Sequence, residues 1–315
     1  MSSTAHSPSK KKEKSLFLLG FAIPLIFIFF IWSYTPGPSP FTHLQPYPVK
    51  HSDTKKKNLV DTHIQMAGSG SNLPITRLLL KAFLQTPQGK NIHIKLHKSI
   101  GSTGGIQATI DRTIHLGLIS RPLTQHEQKR KLRVVPYARA AVVLATHPKV
   151  PLQNIQRSEI LELYQGKKKY WKNGQRVLVY QRERGDSSHQ AFAYKLPKFS
   201  QINEQAYQKK LWQILYKDSA MQRQLQNTEG AVGLLDLGLI QAQKLKLNIL
   251  RINGIYPTEK DIRSNRYPYT KELAFVLREP INDKCKRFMS FVFSPAGAAL
   301  LKANHYIPYQ KQRPQ

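Results

Sequence analysis

Cysteine is almost missing from this chain: Cys285 is the single one in 315 residues. No intramolecular disulfide can form, and cysteine-built zinc or iron–sulfur centres are excluded. Cys285 itself reads as a small buried hydrophobe. Acidic residues are scarce too, 18 Asp+Glu against 49 Lys+Arg, which leaves a formal charge of +31. Such a surplus attracts anions in general, whether small oxyanions, anionic lipid, envelope polymers or nucleic acid. Internal repeats are lacking, and so is a G-x-S-x-G nucleophile elbow. Ser188-His189 is therefore no nucleophile–base pair, since adjacent residues rarely build a triad.

What the chain does have begins with an uncharged run from Ser15 to Tyr34, SLFLLGFAIPLIFIFFIWSY. It is long enough to cross a bilayer, which takes about 20 residues. Trp32 and Tyr34 fall where an interfacial aromatic belt would lie, and Lys10, Lys11, Lys12 and Lys14 predict that residues 1–14 are a cytoplasmic basic tail. Thr35-Pro36-Gly37-Pro38-Ser39-Pro40 is a poor cleavage site, and no cysteine lies nearby to accept lipid. An uncleaved anchor over residues 15–34 is expected ahead of a cleaved signal. Residues 35–57 are rich in Pro, His and Lys and read as an extended linker.

From Asn58 onward strand and helix patterns alternate. The run Leu59 to Met66 has period two, and Ile75, Leu78, Leu79, Ala82 and Phe83 have helical spacing. Between them lies the small-residue turn Gly68-Ser69-Gly70-Ser71-Asn72. Asn91 to His97 is a half-buried strand, leading to a second turn, Lys98 to Gly105, and a helix from Ile106 to Ile110. Ile114 to Ile119 is a short strand ended by Ser120-Arg121-Pro122. Val134 to Ala145 is rich in strand signals. Ser158 to Tyr164 reads as a short helix stopped at Gly166. Gln175 to Gln181 is a strand, followed by a third polar turn, Arg182 to His189. Leu211, Trp212, Ile214, Leu215 and Tyr216 read as one apolar helical stretch. This alternation predicts α/β domains with mostly parallel sheets, whose ligands gather at the carboxyl ends of strands.

Each of the three turns, taken singly, is an ordinary strand-to-helix corner. Together they supply Ser69 and Ser71, Ser102 and Thr103, and Ser187 and Ser188, with Arg182 and Arg184 beside the last pair. A desolvated oxyanion needs many directed donors, because burying an unpaired charge is very costly. Helix N-termini add unpaired amides and partial positive charge. The remaining signals are plainer. There are 11 histidines, of which His93 and His97 share one face of a predicted strand. Without cysteines or clustered carboxylates they read as exposed polar positions. Lys167-Lys168-Lys169 reads as a solvated face that can also touch anionic lipid or a partner.

Several segments, in order, resemble the phosphate-binding proteins of bacterial phosphate ABC transporters, a branch of the two-lobed periplasmic substrate-binding proteins. They are Ala67 to Pro74, Ile100 to Gly105, Leu116 to Leu123, Arg182 to Ser188, Glu229 to Leu235, Arg266 to Tyr269, and Phe288 to Gly297 with Tyr306-Ile307-Pro308. The resemblance implies an α/β periplasmic binding protein-like fold of two lobes, with crossings near Pro136–Val143 and Tyr267–Ala274. Lobe one would be 58–137 and 272–315, and lobe two 138–271. Carried over by position, Ser71 and the amides of Asn72 and Leu73 would form one wall of the ligand site. Ser102 and Thr103 would form a second, and Arg182, Asp186, Ser187 and Ser188 a third. Three positions depart from the family pattern. Ser120 stands where the family has a proton-accepting aspartate, Arg184 where a second acid is frequent, and Asp186 where a serine is usual.

The implied protein is an exported, N-terminally anchored binder on the periplasmic side of a bacterial inner membrane. Its ligand would be an inorganic oxyanion, phosphate or sulfate, and its partner an ABC transporter permease or an envelope sensor. Neither catalysis nor a cofactor is implied, and nucleic acid is not an expected partner. The alternative is a degenerate binding-protein fold that acts through its basic surface in envelope interactions or sensing.

Overall fold

The computed structural model describes residues 63–310. The predicted anchor at 15–34, the linker at 35–57 and the first residues of the alternating run lie outside them. Among the described residues no helix is long and apolar enough to cross a membrane.

The period-two run becomes β1 (His63–Gly68). After the small-residue turn comes α1 (Leu73–Phe83), with Pro74 in its first turn, where a fixed φ helps and a missing N–H costs nothing. Leu73, Ile75, Leu79, Leu80 and Phe83 form its buried face. Each such side chain contributes about 1.5–3 kcal/mol when taken out of water. The chain continues through β2 (His93–Leu96), α2 (Gly101–Ile110), β3 (Leu116–Ile119), α3 (Gln125–Gln128) and the long β4 (Leu132–Thr146). The expected boundary of α2 is corrected here, since the helix starts at Gly101 rather than Ile106. The reason is close packing: a Cβ at Gly105 would stand 2.9 Å from the Cα of Gly68. The glycine pair thus lets α2 lie against the end of β1.

Next come β5 (Asn154–Ile155), α4 (Arg157–Gln165), β6 (Leu178–Arg182), α5 (Ser187–Lys195), α6 (Phe199–Gln208), β7 (Gln213–Leu215), α7 (Asp218–Asn227) and β8 (Ala231–Asp236). The last stretch holds α8 (Leu237–Ala242), β9 (Asn248–Ile249), β10 (Arg251–Ile252), α9 (Glu259–Arg263), β11 (Thr270–Arg278), α10 (Asp283–Val292), α11 (Pro295–Ala303) and β12 (Ile307–Pro308). Gly166 ends α4 at φ +74, as its position predicts. The stretch around Trp212 is not a helix. It is β7, with Leu211 and Tyr216 exposed on either side. Three strand residues cannot display a helical period, and the apolar run imitates one.

The main sheet path runs β2-β1-β3-β11-β4-β8-β6-β7. β1 is parallel to β2 and β3, and β6 is parallel to β7 and β8. These two parallel groups are joined by antiparallel pairing of β4 with β11 and then with β8. Two separate large cores result. One packs Phe83, Phe275 and Phe288 with the strands of the first group, and the other packs Phe192, Phe199, Tyr267 and Tyr269 with the second. Cys285 is buried in the first, and burial pushes its thiol up to about 12.

Candidate functional site

The carboxyl ends of β1, β2, β3, β6 and β7 open on one cleft of about 610 Å³. α1, α2, α5 and α7 all begin beside those strand ends. Four helix N-termini are therefore gathered around one space, which favours negative charge there. The three turns singled out in the sequence meet here. Ser69 and Ser71, Ser102 and Thr103, and Arg182 to Ser187 line the same cleft, with Ser120 between them.

The floor is a network of hydroxyls. Ser69 Oγ lies 2.8 Å from Ser120 Oγ, which lies 2.9 Å from Ser187 Oγ. The Ser120 amide donates to Ser102 Oγ at 3.2 Å. Beneath them sits Lys271, at the start of β11. Its Nζ donates to Ser71, Ser187 and Ser188 at 2.9, 3.0 and 2.9 Å. Asp236 Oδ1, at the end of β8, is 2.8 Å from the same nitrogen. Four oxygens thus share the three protons of one ammonium, and Asp236 supplies the opposite charge. Both side chains are almost fully buried, at 4% and 1% exposure. Burial raises the Asp236 carboxyl, and Lys271 offsets part of that rise.

Arg182 forms the second charged cluster. Its Nε donates to Leu215 O at 2.8 Å and to Glu183 at 3.0 Å. Its Nη1 donates to Asp218 and stands 3.5 Å from Asp186. Burial works against its charge, but Asp218, Asp186 and Glu183 outweigh burial and keep the guanidinium protonated. Asp186 is the N-cap of α5, accepting from the amides of Ser188 and His189 and from the His189 ring. Burial would raise Asp186, yet the His189 bond and the charges of Arg182, His189 and Lys271 hold it well below the usual carboxylate range. Three carboxylates around one arginine leave little bare positive charge on this wall. Oriented hydroxyls, helix N-termini and Lys271 must supply most of the attraction for an anion.

One expectation needs correction, while Thr103 and Arg184 line the cleft with partners of their own. The amides of Asn72 and Leu73 do not face the cleft, because they donate to Ser69 O and Gly70 O inside their own turn. The Asn72 side chain is fully buried and holds Ile119 O and Tyr137 OH. Thr103 Oγ1 accepts from Arg121 at 2.9 Å, which occupies it on the rim. Arg184 is exposed, binds Glu204 through two nitrogens at 2.9 Å and lies over the Tyr207 ring. The sequence reading missed Lys271, Asp236 and Asp218. For Lys271 a signal existed: it has the same strand parity as the buried Leu273, Phe275 and Leu277. Asp236 carries no signal beyond its place at the end of the apolar run Ala231 to Leu235. His93 is exposed, while His97 holds Gln65 at 2.7 Å.

A family model for the PBP superfamily domain matches residues 50–296. The chain is 23% identical over 245 residues to the phosphate-binding protein PstS of Borreliella burgdorferi, covering 76% of this chain and 88% of that one. Among solved structures it is similar to a candidate phosphate ABC transporter substrate-binding protein with bound phosphate from Clostridium perfringens. That match has a TM-score of 0.68 and 21% identity, covering 79% of this chain and all of the other. An ABC-type phosphate transport receptor from Vibrio cholerae matches with a TM-score of 0.55 and 19% identity, over 78% of this chain and 99% of the other. The resemblance read from the ordered segments is thereby borne out as a distant relationship.

Proposed function

Because the chain belongs to the PBP superfamily, we propose that it is an exported solute-binding protein that captures an inorganic oxyanion, phosphate first, for an ABC transporter. The observation that carries this reading is the convergence of hydroxyls, the starts of α2 and α7 and Arg182 on one cleft, with the buried Lys271 beneath its serines. Such a site stabilises a tetrahedral anion with directed donors and does no covalent chemistry. The ligand-contacting groups would be Ser69, Ser102, Ser120, Ser187 and Arg182, with Ser71 and Ser188 relaying Lys271. Residues 58–137 with 272–315 form lobe one and 138–271 lobe two, and they close on the ligand as a hinge. The uncharged run at 15–34 anchors the chain to the inner membrane, with the folded part on the periplasmic side.

Isothermal titration of the protein with phosphate, sulfate and molybdate tests this reading. Saturable heat with at least one oxyanion is expected. Arg182→Ala abolishes it, because Asp186, Asp218 and Glu183 are then left without their cation. Lys168→Ala changes little, since Lys168 pairs with Glu159 beside α4. Silence with every oxyanion would instead favour the second reading, a basic envelope interaction protein. The three acids around Arg182 and the +31 charge speak for that reading.

A further inference from the structure

The hydroxyl chain across the cleft floor has a direction, and Lys271 sets it. An ammonium only donates. Ser187 Oγ accepts from Lys271, touches Ser120 Oγ, and Ser120 Oγ touches Ser69 Oγ. Three hydroxyl protons serve two internal contacts, so one proton always remains to be donated out of the chain. Ser102 Oγ likewise accepts from the Ser120 amide, which leaves its own proton to be donated elsewhere. The floor therefore has spare hydroxyl protons above a buried cation, and Ser69, Ser102, Ser120 and Ser187 bond one another, a backbone amide and Lys271 rather than a carboxylate. Asp236 lies beneath Lys271, and Asp186 Oδ1 is taken by two amides and the His189 ring, while its Oδ2 stands 3.5 Å from Arg182.

A protonated oxyanion needs an acceptor for its own O–H, and an ionised carboxylate is a far stronger acceptor than a neutral hydroxyl. A nearby ammonium also favours the fully ionised form of a ligand. We infer that the cleft takes a tetrahedral oxyanion by charge and shape without reading a proton on it, and that Lys271 with Ser120 sets this selectivity. Sulfate then competes with phosphate on nearly equal terms. This rests on the oxyanion reading above and names its ligand class more narrowly. Two rival acceptors line the cleft wall: Asp218 Oδ2 lies over Gly70 while Oδ1 is held by Arg182, and Asp186 Oδ2 has only Arg182, at 3.5 Å.

The test is competitive titration of the full chain with phosphate and sulfate at about pH 8. A site with a built acceptor rejects the ligand lacking the hydroxyl by about 10⁴-fold or more. The expected ratio of the two affinities here is below about a hundredfold. Ser120→Asp, which places a carboxylate in the floor, should raise preference for phosphate by at least about tenfold. The charge-balanced double variant Lys271→Met with Asp236→Asn should weaken both anions by about a hundredfold while its circular dichroism stays unchanged. A wild-type preference for phosphate above about a hundredfold overturns the inference but leaves the oxyanion reading standing. If Asp218→Asn then erases that preference, the proton belongs to Asp218. An unchanged ratio in a folded Ser120→Asp protein, or wild-type affinities in the double variant, overturns the assignment to these residues. Binding of neither anion by the wild-type chain brings down both readings together.

Discussion

Two glycines of the first turn are constrained in different ways, and the difference can be measured. Gly68 has φ +148, and a Cβ there would meet Leu118 O at 2.0 Å. The neighbour is strand backbone that cannot yield. Gly68→Ala is expected to cost about 2–4 kcal/mol, read from the urea midpoint. At Gly70 the obstacle is the Asp218 carboxylate, 2.2 Å from the built Cβ. That side chain can move, so Gly70→Ala should keep the fold while displacing Asp218 from Arg182 and changing anion affinity. A stable Gly68→Ala, or a Gly70→Ala that binds as wild type, would contradict these assignments. Glu127 gives a pH effect at the same scale. Its hydrogen bond with Arg121 outweighs burial and lowers its carboxyl from 4.5 to about 2. The folded chain refuses a proton that the unfolded chain accepts, so the stability from this pair is complete above about 4.5. It is lost as the pH falls toward about 2. Acid titration of stability should therefore be shallower in Glu127→Gln than in wild type.

At the scale of elements, the start of α5 joins folding to the site. Asp186 caps the helix and also neutralises Arg182. Asp186→Ala should cost about 1–2 kcal/mol of stability from the cap alone. It should also leave Arg182 more strongly positive toward an anion, so stability and affinity should move in opposite directions. A parallel loss of both would mean that the cap, not the charge, dominates. The corners themselves were readable before any coordinates. Ser69 sits in a turn, and Ser102 and Ser187 in the first turn of a helix, at corners whose small residues are written locally. The entry of α2 at Gly101 was not readable, because its glycines are chosen by contact with β1 rather than by helix propensity. β7 was missed because three residues carry too short a period to distinguish strand from helix. Lys271 and Asp236 were missed for a deeper reason. Their meaning lies in each other, and they come together only when β8 and β11 flank the same strand, β4.

The whole molecule raises the question of where its +31 charge acts. Diffuse charge attracts any polyanion and fades with salt over a Debye length of about 8–10 Å. A cleft that encloses its ligand between two groups of parallel strands acts differently, since the bound anion is removed from the solvent that screens it. Because β4 joins the two groups by pairing with β11 on one side and β8 on the other, a ligand gripped from both sides should stabilise the folded part as one unit. At a free phosphate concentration a hundredfold above the dissociation constant, binding adds about 2.7 kcal/mol. For a chain of this size that corresponds to a rise in melting temperature of roughly 5–10 °C. Sodium chloride at the same ionic strength should produce no comparable rise, and Arg182→Ala should lose the rise while melting cooperatively. An equal response to chloride and phosphate would place the charge on the surface and leave the cleft without its ligand.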